Sequence, residues 1–379
     1  MRLGTFSFEP NGRWSTSTFP AFDSPQTLVM VFAAPEFIDE PSAISDLVEA
    51  YPHSLLIGCS SAGEIAGPFV NDASLSVAVL QFERTRISVV SQNIRHVSDS
   101  FGAGQRLARQ LQHDDLRGVF ILSDGLKVNG SELVDGLNSV LPAHVVITGG
   151  LAGDGNRFQH TWVIRNGKPE TGVITATGFY GDNIRITHGS RGGWDSFGPE
   201  RRVTRSSGNI LYELDGKPAL ALYKDYLGER ASGLPATALL FPLSIREDAN
   251  DTRQMIRTVL AVDESRLSMT FAGDIPNGYL AQLMRANPER LLDSACAAAN
   301  QAAEGIPASA PLLAVAISSV GRRLVLGERI EEETELVLKN LPAGARQAGF
   351  YSYGEISPCA SGACDLHNQT MTLTTFSES

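Results

Sequence analysis

Three times along the chain, a run of consecutive apolar residues is followed by an amphipathic stretch of helical period, a second apolar run and a glycine turn. The first set is TLVMVFA (27–33), SAISDLVEAY, SLLIGC and SSAGEI. The second, over 118–154, is GVFILSDG, SELVDGLNSVL, HVVITGG and LAGDG. Aligning Pro52 with Pro142 without a gap lays Gly63 on Gly153 and Glu64 on Asp154. The third is LLAVAISSVG (312–321), IEEETELVLKNL and ARQAGFYSYGEI. Short apolar runs bounded by turns predict buried strands, and the amphipathic stretches predict helices. The repeated unit is therefore strand, helix, strand, then a glycine turn that delivers a carboxylate: Glu64, Asp154 or Glu355.

The turns GCSSAGEI (58–65) and GFYSYGEI (349–356) share their Gly, Ser and GlyGluIle positions. Extended sequence follows each of them, LSVAVLQF at 75–82 and MTLTTF at 371–376. A dinucleotide fingerprint or phosphate loop needs its glycines to open a helix, so both phosphate readings are excluded. The alternation predicts an α/β fold, with two related domains of mixed sheets built from strand–helix–strand units and a pocket at their interface.

WVIRNGKPETGVITATGFYGDNIRITHG (162–189) reads as β-hairpins, and GSRGGWDSFGP after it as a glycine-rich loop. The domain boundary is placed there, giving an N-terminal domain over 25–190 and a C-terminal domain over 200–375. ELDGKPALALYKDYLGE (213–229) predicts a turn and a helix ended by Gly228.

Composition narrows the function. The chain has 379 residues, 42% hydrophobic and 19% charged, with a net charge of −11. That acidity argues against a general nucleic-acid binder, and Arg201, Arg202 and Arg205 read as a solvated face. The N-terminus lacks a secretory pattern and no stretch is long and apolar enough to span a membrane, so a cytoplasmic protein without membrane insertion is expected. Four cysteines are too few and too unevenly spaced for a disulfide framework. Cys359, Cys364 and His367 form CxxxxCxxH, which lacks the spacing and fourth ligand of a structural zinc site. GxSxG and HExxH are absent, and nothing in the sequence asks for an enzyme.

GCSSAGEI, ELDGKPALALYKDYLG and the terminal GFYSYGEISP with LHNQTMTLT resemble FIST proteins, in which an N-terminal and a C-terminal FIST domain cover almost the whole chain. Within that family, HGSRGGWDSFGPERRVTRS (188–206) with CDLHNQT (364–370) is similar to the nitric-oxide-sensing branch, NosP. The resemblance implies a sensory signal-transduction protein that binds haem b and acts in trans on a sensor histidine kinase, as in two-component signalling, or on a diguanylate cyclase or phosphodiesterase. A homo-oligomer is compatible with it.

A haem sensor needs an axial ligand, and a neutral imidazole is the commonest choice. His188, after the strand-like IRIT and before the glycine-rich loop, ranks first, with Trp194 placed to cover a porphyrin face or simply to anchor packing. His367 ranks second, because Asn368, Gln369 and Thr370 are placed to orient it. Tyr351, Tyr353 and Phe350 are the distal candidates. Ligand binding would shift a population, moving the 188–198 segment. His53, His96, His113, His144 and His160 are background. The alternative is an iron-free receptor for an amino acid or similar metabolite, held by Glu64, Asp154, Glu355, Ser61, Gly153 and Asn368. A third reading is an enzyme acting on such a metabolite. Against a carboxylate site stands a local use, in which each carboxylate accepts backbone N–H groups of its own turn.

Overall fold

The computed structural model describes residues 1–251, 255–307, 311–359 and 362–379. The strand–helix–strand pattern forms as predicted. Thr27–Ala33, Ser42–Ala50 and Leu55–Ser60 make the first unit; Leu116–Ser123, Gly130–Asn138 and Val146–Leu151 the second; Leu313–Ser319, the helices Val320–Leu326 and Ile330–Lys339, and Arg346–Ser352 the third. In each unit the two apolar strands run parallel. They are buried on both faces, which is why they read as continuous apolar runs rather than alternating ones.

The same strand arrangement surrounds each parallel pair. A later strand (Leu75–Gln81, Val173–Tyr180 or Met371–Glu378) lies antiparallel beside the first apolar strand, and an opening strand (Arg2–Phe8, Arg86–Asn93 or Ile184–Arg191) lies beside that. The hairpin after each glycine turn does not stay with its own unit. Glu64–Ala66 of the first unit pairs with Arg346–Ser352 of the third, Gly354–Pro358 of the third with Val146–Leu151 of the second, and Val163–Arg165 of the second with Leu55–Ser60 of the first. The units thus exchange strands in a ring.

One core joins them. Phe32, Phe120, Phe179, Phe350 and Phe376 sit in a single buried cluster drawn from all three units, with Phe32 stacked on Phe350 at 4.9 Å between centroids. Each such ring contributes about 1.5–3 kcal/mol by leaving water. A glycine recurs where the parallel strands pinch: Gly58 faces Val31, Gly149 faces Ile121 and Gly349 faces Ala316. A Cβ at these positions would stand 2.3, 1.9 and 1.8 Å from the facing carbonyl oxygens. That close approach explains why glycine returns at this point of the unit.

The segment expected as a glycine-rich loop is not one. Ile184–Arg191 is the opening strand of the third unit, and Trp194–Ser207 is a long strand pairing with Leu280–Ala286, with a register shift between Phe197 and Arg201. Its partner lies some eighty residues downstream, so only tertiary pairing could override the local glycine signal. This strand opens a β-rich insertion with its own core around Leu211, Tyr223, Leu243 and Phe271. Within it, the helix Ala219–Leu227 ends at Gly228 (φ 57°), as predicted. After the insertion, the helix Pro288–Ala303 returns the chain to the third unit; its Asn287 side chain accepts from Glu289 N and Arg290 N. The 200–375 segment therefore contains both the insertion and most of a unit that shares sheets with residues before 190. Among the described residues, no helix is long and apolar enough to cross a membrane.

Candidate functional site

The three glycine turns meet. Gly153 N donates to Ser60 O (3.1 Å), Ala62 N to Tyr351 O (2.8 Å), Tyr351 N to Gly63 O (2.9 Å) and Tyr353 N to Leu151 O (3.2 Å). Their carboxylates, however, are engaged by other protein groups. Glu64 accepts from Ser74 N and Oγ (3.2 and 3.0 Å). Asp154 accepts from Phe158 N, Gln159 N, His160 N and the Tyr353 hydroxyl. Glu355 accepts from Ser352 Oγ (2.6 Å) and from Thr370 N and Oγ1 (3.1 and 2.8 Å). Ser61 Oγ accepts from Gly63 N within its own turn. All three carboxylates are essentially inaccessible. The meeting of the corners is thus built from hydrogen bonds that hold the units together, and each carboxylate is taken up by protein donors that lie beyond its own turn: Ser74, residues 158–160 with Tyr353, and Thr370.

Beside this junction lies a cavity of about 630 Å³, within the usual range for small-molecule sites. Its walls come from the end of the opening strand of the third unit (Ser190, Arg191), the exchanged hairpin (Cys359, His367), the helix Pro288–Ala303 (Gln301) and the insertion (Ile256). Of the two leading histidine candidates, His367 lines this cavity, and His188 is not a lining residue but lies close to His367. His188 shares a strand face with Ser190 and pairs with Thr374 across the sheet. Burial first, and the nearby His367 second, hold its imidazole below the ordinary value. His367 lines the cavity and is also lowered, burial outweighing the opposing pull of Asp365. Both rings are therefore neutral at pH 7, the state in which imidazole binds metals.

Their hydrogen bonding separates them. His367 Nε2 is 3.0 Å from Ser357 O. His188 Nδ1 is buried without a partner, and so are Gln301 Oε1, Ser357 Oγ and Thr374 Oγ1 nearby. Unpaired polar atoms are costly in a packed interior, and that of Gln301, the one of these four residues in the cavity wall, points to a ligand or water that completes it. Cys364 turns away and donates to Ile147 O (3.3 Å), whereas Cys359 Sγ stands 4.0 Å from His367 Nε2, so the CxxxxCxxH set does not converge. Among the described residues, no group of three or more His, Cys, Asp or Glu side chains is arranged to hold a metal ion.

The aromatic candidates lie elsewhere. Trp194 donates Nε1–H to Gln369 O (2.9 Å) and packs with Met284, Leu291 and Leu326, as an anchor. The Tyr351 hydroxyl donates to Glu333 Oε2 (2.8 Å), Tyr353 stacks on Phe158, and Phe350 is in the central core. Asn368 does reach the cavity wall, where it joins the insertion to the junction: its Oδ1 accepts from Thr258 N and its Nδ2 donates to Tyr353 O. Gln301, Ser190 and Arg191 escape a sequence reading. The one hint is a glutamine inside the alanine-rich stretch ACAAANQAA.

The internal repeat supplies a control. In the second unit the matching cleft, about 540 Å³, is lined by Val89 and Ser91 of the opening strand and by Ile164 and Arg165 of the exchanged hairpin. Val89 pairs with Thr177 as His188 pairs with Thr374, so valine stands where the third unit has histidine. The corresponding position of the first unit is Thr5, opposite Ala78. Of the three equivalent positions, only that of the third unit carries an imidazole.

An uncharacterized protein of Methanocaldococcus jannaschii is 27% identical over 187 residues, covering 47% of this chain and 36% of its own length, so the match spans about a third of that relative. The solved structure of cyanuric acid hydrolase from A. caulinodans aligns over 100% of this chain and 98% of its own, at 8% identity and a TM-score of 0.37. Residues 27–217 match the FIST N domain and residues 219–358 the FIST C domain, domains associated with sensory ligand binding in signalling proteins. Since these two matches take in nearly all of the repeated turns and the insertion between them, the chain belongs to the FIST family.

Proposed function

We propose that this protein is a haem-based nitric oxide sensor of the cytoplasm, with its ligand in the cavity lined by Gln301 and His367, close to His188. The observation that carries the reading is a neutral histidine in the cavity wall, His367, with a second neutral histidine near it, His188, whose Nδ1 is buried without a partner. The residues suit the group. His188 would hold the iron, His367 is the second choice because Ser357 O already occupies its Nε2, and Arg191 offers a cation at the wall for carboxylates. When bound, haem supplies an iron that takes a small gas, with the surrounding polarity setting which one.

The chain's own residues provide the transmission. His188 lies on the strand that leads into Gly192, and the Gly192 carbonyl accepts from both Arg322 and Ser294. Arg322 is fully buried against Glu333, which also takes the hydroxyls of Ser318 and Tyr351. A shift of the 188–198 segment would therefore reach the helices Val320–Leu326 and Ile330–Lys339, and through them a separate histidine kinase or cyclic-di-GMP enzyme. The iron-free receptor reading, which needs Glu64, Asp154 and Glu355 open to a ligand, lacks an observation in its favour, and so does the enzyme reading.

An absorption spectrum after expression with haem supplied tests the proposal. A stoichiometric Soret band that shifts with nitric oxide is expected, together with its loss or displacement in His188→Ala. No band at all ends the haem reading. A band unchanged in His188→Ala but lost in His367→Ala moves the ligand to the second histidine.

A further inference from the structure

The corner that leads from each exchanged hairpin into the returning strand is left-handed in all three units: Ala73 (φ 51°), Gly172 (φ 66°) and Gln369 (φ 63°). Each stands at the same distance ahead of Ala78, Thr177 and Thr374, the positions matched by their pairing with Thr5, Val89 and His188. Glycine takes this conformation readily, whereas other residues are strained in it. The second unit uses glycine, and Ala73 of the first is exposed. The third unit instead places a long, fully buried polar side chain there, so the amide has a use that outweighs the strain. That amide reaches out of its own unit. Gln369 Nε2 donates to Thr258 Oγ1 (3.0 Å) and Leu239 O (3.3 Å), both in the insertion, and the Gln369 carbonyl accepts from Trp194 Nε1 (2.9 Å). Gly321, in the helix Val320–Leu326, leaves the room: a Cβ there would stand 2.3 Å from Gln369 Oε1. Gln369 Oε1 is itself buried without a partner, so the contact is incomplete in this state.

We propose that Gln369 couples the cavity to the insertion, so that an occupant changes how the insertion seats against the helix Val320–Leu326 and the insertion carries the signal outward. An occupant meets both sides of this joint at once. Asn368 and Thr370, on either side of Gln369, line the cavity, and so do Met255 and Ile256 of the insertion, just ahead of Thr258. A change in their separation therefore falls on the Gln369 amide, and on the two contacts beside it, Thr258 N to Asn368 Oδ1 (3.2 Å) and Arg257 to Leu366 O (3.1 Å). The insertion is built to move as a body. It has its own core, and the chain enters it through Gly192 and Gly193, the second at φ 101°. Both sites then bias one element, which is what coupling requires. The inference rests on the cavity as the ligand site, whatever its ligand, and not on haem.

A covalent occupant tests the coupling without the natural ligand. Cys359 lines the cavity and is half-buried, Cys59 and Cys364 are buried, and Cys296 is removed by working in Cys296→Ser. N-ethylmaleimide then loads Cys359, with the extent read by mass spectrometry; where Cys359 resists the reagent, Gln301→Trp fills the same cavity. The readout is hydrogen exchange in Ala236–Leu240 and Val259–Asp263, which flank the Gln369 contact and line no part of the cavity. Occupancy is expected to change exchange there by about fivefold or more. Gln369→Gly, which keeps the left-handed corner as the second unit does and removes the amide, is expected to abolish that change. Thr258→Val, which withdraws the hydroxyl on the insertion's side, is expected to reduce it. A Gln369 with a merely structural part would lower stability in Gln369→Gly yet leave the response to occupancy intact, and that result overturns the coupling. So does exchange in the Cys296→Ser protein that occupancy leaves unchanged. Haemin plays no part in these readings, so a protein that binds none overturns the sensor reading alone.

Discussion

Glu64 and Glu355 show how one residue type, in one turn, acquires its properties from burial rather than from charge partners. Burial lifts the Glu64 carboxyl to about 8, outweighing the opposing hydrogen bonds from Ser74 and Ser61. A carboxyl whose folded value is raised favours the folded state most below its unfolded value near 4.5, and that contribution is lost as the pH climbs through about 8. Glu64→Gln keeps a neutral acceptor at all pH values. The variant should therefore gain melting temperature relative to the parent protein progressively between about pH 5 and 8, followed by circular dichroism. A constant difference across that window would show that Glu64 is ionised in the folded protein. These carboxylates were legible in the sequence as positions, through the repeated GlyGluIle and GlyAsp turns, but their use was not. Whether a buried carboxylate faces a ligand or its own backbone depends on where Ser74 and Thr370 return, ten and fifteen residues on.

At the scale of elements, the strand–helix–strand units were readable because each carries its own periodicity, and the recurring glycine was readable because it marks a local pinch. Gly349→Ala would drive a methyl group into the Ala316 carbonyl, 1.8 Å away on the ideal backbone. Because that neighbour is strand backbone, the cost should be about 1–3 kcal/mol or more, read as a lower denaturant midpoint with an unchanged slope. Trp194–Ser207 was misread for the converse reason. Its local signal is glycine and proline, and the strand character of its first part, residues 194–202, comes from Leu280–Ala286, which no window along the chain contains, while residues 203–207 pair with Ile210–Leu214 close by. The cavity was half visible. His188 and His367 stood out as histidines beside turns, whereas Gln301 sits in a helix that reads simply as a packing face, and Ser190 gains meaning only beside Thr372.

For the whole molecule, the sheets run across the division between the FIST N and FIST C matches. Asp215 and Gly216 form an exposed turn at that division, before the helix Ala219–Leu227. A protease site engineered there would give two pieces, yet they should elute together from a sizing column and part only in denaturant. Prompt separation in native buffer would contradict the strand pairing. The reason is the ring of borrowed hairpins: the front piece keeps Glu64–Ala66 laced into Arg346–Ser352, while the rear piece keeps Gly354–Pro358 laced into Val146–Leu151. Like two hands with fingers interlocked, neither half can be drawn off without opening the other, so a cut backbone here leaves the molecule mechanically whole.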